Sequence, residues 1–325
     1  MAYVFRPNAV TEIAGRRLTA AEAGLERLTV TSALGCHGMA DLVLWPQSAF
    51  ASAAPGETLT LSLGPQDDEE TVLTGTVATQ RQGTGAVVIQ ALDASGALGR
   101  LRTTAVFERT SLADIVHKLA DEAGVRAEAD GDEMLPIYYV LPDRPVWDHL
   151  RDLARLTGRD LAVGADGCLL FRDPGAGAVH GLRHGADLIR WSIGRESAAA
   201  ELAHAPHGSA SSSGNWHWID PDPAGATPSP TRIEGVLSDR DLATTATGAA
   251  SERAGRAALE GWLLITGDAA IRPGDSVTVA DLPGGDPGPM RVRMVGHRLD
   301  RDTGFTTFLQ VEGGGSAGGL LGFLP

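Results

Sequence analysis

From Thr58 to Leu63 the chain alternates without interruption: Thr58-Leu59-Thr60-Leu61-Ser62-Leu63. A period of two puts the leucines on one face of a strand and the hydroxyls on the other, so one face is buried and the other is wet. The same patterning recurs in short runs at Leu25–Leu34, Ala40–Trp45, Glu70–Gln82 and Gly85–Asp93. Each run stops near Gly, Pro, Asp or Gln. Such runs predict an antiparallel sheet or small barrel over residues 1–107. With 41 Gly, 18 Pro and only 5% aromatic residues, the composition suits many short strands joined by turns.

The period changes after Phe107. Leu112, Ile115, Val116 and Leu119 fall at i, i+3, i+4 and i+7, which predicts a helix with one apolar stripe. Thr110 or Ser111 can cap it, and Gly124 stands where a left-handed residue is wanted. A strand at Leu135–Leu141 follows. A second helix begins at Pro145, buries Val146, Trp147, Leu150, Leu153 and Ala154, and ends at Gly158. Residues 160–173 read as a hairpin turning at Ala165-Asp166-Gly167. The β patterning then returns. One strand is expected across LRHGADLIRWSIGRES, and a Ser/Gly/Pro-rich surface loop over 204–230. An Ala-rich helix is expected over ATTATGAASERAGRAALEGWLLI, and three strands with two turns close the pattern.

The expected fold class is therefore mainly β (α+β). Residues 1–107 form a first β domain, 108–175 an α/β insert, 176–312 a second β domain and 313–325 a loose Gly-rich tail. A length of 325 residues suits such a multi-domain chain. The formal net charge of −14 argues against a nucleic-acid-reading surface. The acidic runs Asp67–Glu70 and Glu128–Glu133 read as solvated loops. Two cysteines, Cys36 and Cys168, are too few for a disulfide framework or zinc cluster and suit cytoplasmic synthesis. No secretory leader or membrane-length apolar run is seen, so no membrane insertion is expected.

Candidate chemistry is sparse. His297, Asp300 and Asp302 lie together, but Val295, His297 and Leu299 share one strand face. Asp300-Arg301-Asp302-Thr303-Gly304 reads as the turn that follows. No Gly-x-Ser-x-Gly elbow supplies a nucleophile. His204, His207 and His217 are close enough to pose a metal site, though their spacing matches no standard motif. Trp216 and Trp218 flank His217 and offer a partner contact instead. His117 and His149 sit near the polar edges of the two insert helices. Cys36-His37 lacks a third group and reads as a turn before the strand at Asp41. The clusters Gly83-Thr84-Gly85 and Gly284–Gly288 read as hairpin turns, because neither matches a nucleotide-binding loop. No catalytic, cofactor or metal residue is assigned.

The order of elements carries more. Leu73-Thr74-Gly75-Thr76-Val77 gives a hydrophobic-x-Gly-x-Val strand. Leu112, Ile115 and Gly124 mark the first insert helix, and Leu153-Ala154 with Gly158 the second. Ile271-Arg272-Pro273-Gly274-Asp275-Ser276-Val277 is a Pro-Gly turn before a strand. Val295-x-His297-x-Leu299 with Gly304-Phe305-Thr306-Thr307 closes the chain. Over residues 25–312 this order resembles the late control gene D proteins of contractile-tailed phages, and the hub portion of VgrG-type spike proteins and injection particles. The resemblance implies a structural homotrimer, not an enzyme. Two related β domains per chain would give a pseudo-six-fold ring, adapting a six-fold tail tube to a three-fold spike. Tube, spike and other baseplate proteins are the implied partners, and the particle, assembled in the cytoplasm, the implied location.

The pattern departs from the family in lacking a spike segment after the hub, so a separate spike protein is expected. The Ser-rich stretch from His207 to Gly214 and the apolar C-terminal tail have no counterpart in the family either. Leu320, Leu321 and Phe323 in the tail offer a second possible partner contact. The alternatives from other classes are a secreted or surface β-rich binding module, and a metal-dependent hydrolase built on the three loop histidines.

Overall fold

A computed structural model describes residues 7–195, 207–210, 217–219, 232–233 and 240–314. The first stretch runs β1 (Pro7–Ile13), β2 (Arg16–Thr19), α1 (Ala20–Ala23), β3 (Leu25–Ala33), β4 (Met39–Leu44), β5 (Thr58–Pro65), β6 (Glu70–Gln82), β7 (Val87–Asp93) and α2 (Ser95–Arg100). Next come β8 (Ala105–Ser111), α3 (Leu112–Glu122), β9 (Ala127–Ala129), β10 (Met134–Val140), α4 (Val146–Thr157), β11 (Asp160–Val163) and β12 (Leu169–Arg172). The last stretch runs β13 (Val179–Arg183), β14 (Leu188–Arg195), β15 (His207–Ala210), β16 (His217–Ile219), β17 (Arg232–Ile233), α5 (Arg240–Ala257), β18 (Leu259–Thr266), β19 (Ser276–Ala280), β20 (Met290–Asp300) and β21 (Gly304–Gly313).

The fold is mainly β. One 13-stranded sheet runs β14-β18-β21-β20-β3-β4-β7-β6-β5-β1-β2, with β19 branching from β20 and carrying β13. Strands from the two ends of the chain meet at its centre, where β20 pairs antiparallel with β3 from Met294↔Ala33 to Asp300↔Arg27. The leucine face of Thr58–Leu63 is as expected, with Leu59, Leu61 and Leu63 buried beside Leu28, Leu42 and Ile89, but on the hydroxyl face Ser62 is buried too. A second core lies under the last hairpin, from Leu263, Val277, Val292, Val295, Leu309 and Val311. The insert has its own core around Trp147, Phe171, Leu112 and Leu150, to which α5 adds Leu242 and Ala246.

Local expectations hold where capping and turn chemistry are explicit. The Ser111 hydroxyl accepts the Asp114 N–H at 3.1 Å and caps α3. Gly124, Gly158 and Gly167 take positive φ at the helix ends and hairpin turn. Pro145 is the N-cap of α4, one place before the first turn that was expected to hold it.

Five readings need correction. The region read as β contains two short helices, of which α1 is nucleated by a reciprocal capping box between Thr19 and Glu22. LRHGADLIRWSIGRES is two strands, because residues 184–187 turn, with Ala186 and Asp187 N–H both donating to Arg183 O. The Ala-rich helix stops at Ala257. Leu259–Thr266 is strand β18, since Leu263 and Ile265 alternate into the core while the backbone pairs with β21 and β14. Within the expected loop β15 pairs with β16, and β15 also pairs with β17 just beyond it. His149 is not at a polar edge: it is 5% exposed, with Nε2 3.1 Å from Leu141 O and Nδ1 3.3 Å from Tyr138 Oη.

Candidate functional site

The main sheet presents one broad face turned away from its buried leucines and valines. Register across seven strands places Thr266, Thr306, Arg298, Thr29, Asp41, Gln90 and Thr79 in one row. Three of them are bonded in series. Thr79 Oγ1 donates to Gln90 Oε1 at 3.0 Å, and Gln90 Nε2 donates to Asp41 Oδ1 at 2.8 Å. One strand end of this face also carries an aromatic pair, Trp262 stacked on Phe308 with centroids 6.1 Å apart. Such a broad, polar, half-buried β face can present a surface to other chains.

His297 lies on the opposite side of β20, with Val295 and Leu299, and is 4% exposed. Its Nδ1 is 3.1 Å from Thr307 Oγ1 on the paired strand. Thr307 Oγ1 in turn accepts the Asp268 N–H at 3.0 Å and lies 3.1 Å from Asp268 O. Burial, helped by the nearby Arg272 charge, pushes the imidazole down to about 3. A ring so closed off, with Nδ1 taken up by Thr307, serves packing and hydrogen bonding within the sheet.

Asp300 and Asp302 do not join it. Asp300 Oδ1 accepts the N–H groups of Asp302 and Thr303 at 3.0 and 2.7 Å and the Thr303 hydroxyl at 2.8 Å, while Arg298 Nε donates to Oδ2 at 2.6 Å. Burial alone would raise this carboxyl, but the donors and Arg298 outweigh it and hold it at about 2. A depressed carboxyl stabilises the fold above its ordinary value of 3.8, and that share is lost as pH falls through about 2. Asp300→Asn is therefore expected to be less stable than the unaltered chain at pH 4.5, with the gap clearly narrower at pH 2.5 and closing only below about 2. Denaturant midpoints at the two pH values check this, and a gap that stays constant rules it out. Gly304 closes the turn at φ +69.

The other residues singled out by sequence are structural for identifiable reasons. A Cβ on Gly75 would sit 2.0 Å from the Leu92 carbonyl oxygen of β7. One on Gly158 would meet Ala249 of α5 at 3.0 Å. Leu112, Ile115 and Leu153 are at most 1% exposed in the insert core. Pro273 and Gly274, the latter at φ +93, turn the chain into β19. Asp275, just beyond, is 4% exposed. It accepts the N–H groups of Ala178 and Arg272 at 2.9 and 2.8 Å and lies 2.9 Å from His180 Nε2.

Two polar clusters were not anticipated. Arg291, 7% exposed, bonds Glu312 at 2.7 Å and Asp160 of the insert, and Arg256 of α5 reaches Glu312 at 3.3 Å. These charges tie insert, helix and sheet together. In the second cluster, His37 Nδ1 lies 2.8 Å from Ser95 Oγ, and Ser95 donates through its hydroxyl to Asp93. The three residue types of a catalytic triad are present in the wrong order. Serine stands between acid and imidazole, and it is fully buried, so its hydroxyl is not presented as a nucleophile.

No family model and no curated protein matches the chain. Solved structures do. The tail protein of Neisseria meningitidis MC58 superposes with a TM-score of 0.72 at 17% identity, covering 95% of this chain and 97% of that one. The 43 kDa tail protein of prophage MuSo2 from Shewanella oneidensis gives 0.70 at 16% identity, over 94% and 98%. The chain has the fold of phage tail proteins. A component of the E. coli type VI secretion system, described as structurally similar to the bacteriophage T4 tail proteins gp27 and gp5, gives 0.61 at 13% identity, over 88% of this chain and 73% of that one.

The tail-protein fold brings His297, Thr306, Gly304, Pro273 and Gly274 into the same half of the sheet, and keeps Leu112, Ile115, Gly124, Leu153 and Gly158 in the insert. Thr307, Asp275 and the Arg291 cluster were missed as partners, although Asp275 follows the Pro-Gly pair directly. Among the described residues no group of three His, Cys, Asp or Glu is placed to hold a metal. His204, Trp216, Leu320, Leu321 and Phe323 lie outside the described residues; Trp218 and His217 fall in β16, and His207 in β15. No helix among the described residues is long and apolar enough to cross a membrane.

Proposed function

We propose that the chain is the structural baseplate hub of a contractile phage tail or a related injection system. The observation that carries this reading is the full-length likeness to two tail proteins, which leaves almost no part of either chain outside the shared fold. In this reading three copies form a ring that adapts a six-fold tail tube to a three-fold spike. The two β regions of each of the three chains supply six quasi-equivalent segments, and the insert packs beside them. Tube, spike and other baseplate proteins are its partners, assembly takes place in the cytoplasm, and the finished protein resides in the particle. Its role is to hold others in register, with no reaction to catalyse.

Light scattering on the purified protein, alone and mixed with the tube and spike proteins encoded beside it, tests the assignment. Three chains per particle, formed alone or on mixing, are expected. A single chain that ignores both neighbours at micromolar concentration overturns it.

A further inference from the structure

The turn between β3 and β4 touches β20 of the sheet, β11 and α4 of the insert, and the start of α2. Leu34 N–H donates to Arg293 O of β20 at 3.0 Å, and Gly35 N–H to Leu161 O of β11 at 2.7 Å. The His37 ring stacks on Trp147 of α4, centroids 5.1 Å apart, while its Nδ1 faces Ser95 at the start of α2. Behind it stands Asp93, the last residue of β7 and only 6% exposed. Its carboxylate accepts the Gly38 N–H at 2.9 Å, the Ser95 N–H at 3.0 Å and the Ser95 hydroxyl. There is no spare space: a Cβ on Gly38 would fall 2.1 Å from Asp93 Oδ2. Among the described residues no cation lies within ion-pair distance of Asp93.

We propose that this joint is a proton-sensitive latch between the sheet and the insert, held tightest when the Asp93 carboxyl is protonated and donates to Ser95 Oγ, which then turns its own proton to His37 Nδ1, 2.8 Å away. A carboxylate taken out of water without a counter-ion is costly in its charged form, and neutral donors offset that cost only in part. The facing groups do not change the balance. His37 is pushed below its ordinary value, chiefly by burial, with Asp148 and Arg151 of α4 acting on it in opposite directions. Arg100 ends α2, with its guanidinium beside Gly96. Burial outweighs the donors from Ser95 and Gly38 and raises the Asp93 carboxyl from 3.8 to about 6.

A raised carboxyl favours the folded joint below its ordinary value, and that share is lost as pH rises through about 6. Acid therefore tightens the latch through Asp93. His37 works the other way, because a ring held neutral loses its share as pH falls below 6.5. The comparison that isolates Asp93 keeps His37 in place.

Amide hydrogen exchange on the full-length protein, corrected for intrinsic rates, reads the opening of residues 34–38 and 95–101 at pH 5 and pH 7.5. The ratio of opening in Asp93→Asn to that in the unaltered protein is expected to be about tenfold larger at pH 5 than at pH 7.5. An equal ratio at both pH values overturns the proposal. Carbon-13 NMR titration of aspartate-labelled, unaltered protein gives an answer that does not depend on a variant folding. One carboxyl titrating near 6 is the expected result, and no aspartate titrating above about 4.5 overturns it.

Discussion

Arg291→Ala is expected to lower the stability of the folded chain by about 3–5 kcal/mol, the usual cost of leaving a buried ion pair half empty. Arg291 is buried, and burial pulls its guanidinium below the ordinary arginine value even with Glu312 beside it. The charge is thus retained against a desolvation cost, which only good geometry offsets. Its removal affects the two acids unequally. Glu312 keeps Arg256 at 3.3 Å and Arg293 at 3.4 Å, whereas Asp160 loses its partner in β20. Adding Asp160→Asn to Arg291→Ala should therefore recover part of the loss, while Glu312→Gln added to Arg291→Ala should recover less. Urea denaturation of these three variants beside the unaltered protein checks the order. An Arg291→Ala midpoint equal to that of the unaltered protein would show that the cluster contributes nothing to joining insert and sheet.

Gly75→Ala is expected to cost about 3 kcal/mol or more, although it adds a single methyl group. The obstacle is the Leu92 carbonyl oxygen, 2.0 Å from where that methyl would stand, with the Asp93 Cα at 2.9 Å. Backbone atoms cannot rotate aside as a side chain does. Moving them breaks the β6–β7 ladder at Gly75↔Asp93 and Thr76↔Leu92. The same shift displaces Asp93, so exchange at residues 34–38 should rise together with the fall in midpoint. Gly85→Ala, at a hairpin position with nothing within 4 Å, serves as the control and should stay within about 0.5 kcal/mol of the unaltered protein. Equal midpoints for the two variants would remove the steric argument.

Much of the architecture could be read from residue order because its signals are local. The leucine alternation of β5, the Ser111 cap of α3 and the turn at Asp300–Gly304 depend on neighbours within a few residues. What failed depended on contacts remote in sequence. Leu259–Thr266 follows a helix rich in good helix formers, yet becomes a strand because β14 and β21 are waiting on either side. His149 looks polar on a helical projection, but Tyr138 and Leu141 of the neighbouring strand segment close over it. The Asp160–Arg291 pair spans 131 residues and has no periodic trace. His297 was placed correctly, since period two alone puts it beside Val295, but its partner Thr307 is set by hairpin register.

The β3–β20 pairing also has a consequence during synthesis. When β3 and β4 emerge, one edge of β3 has no partner, and its eventual partner is among the last strands to be made. Unpaired edges are templates for pairing with any other chain. The chain must carry an open seam at the middle of its future sheet until the final hairpin arrives. Non-local strand pairing of this kind folds slowly. Copies stalled or cut before Met290 keep β3 bare, which makes association through that edge the characteristic way for this protein to misfold.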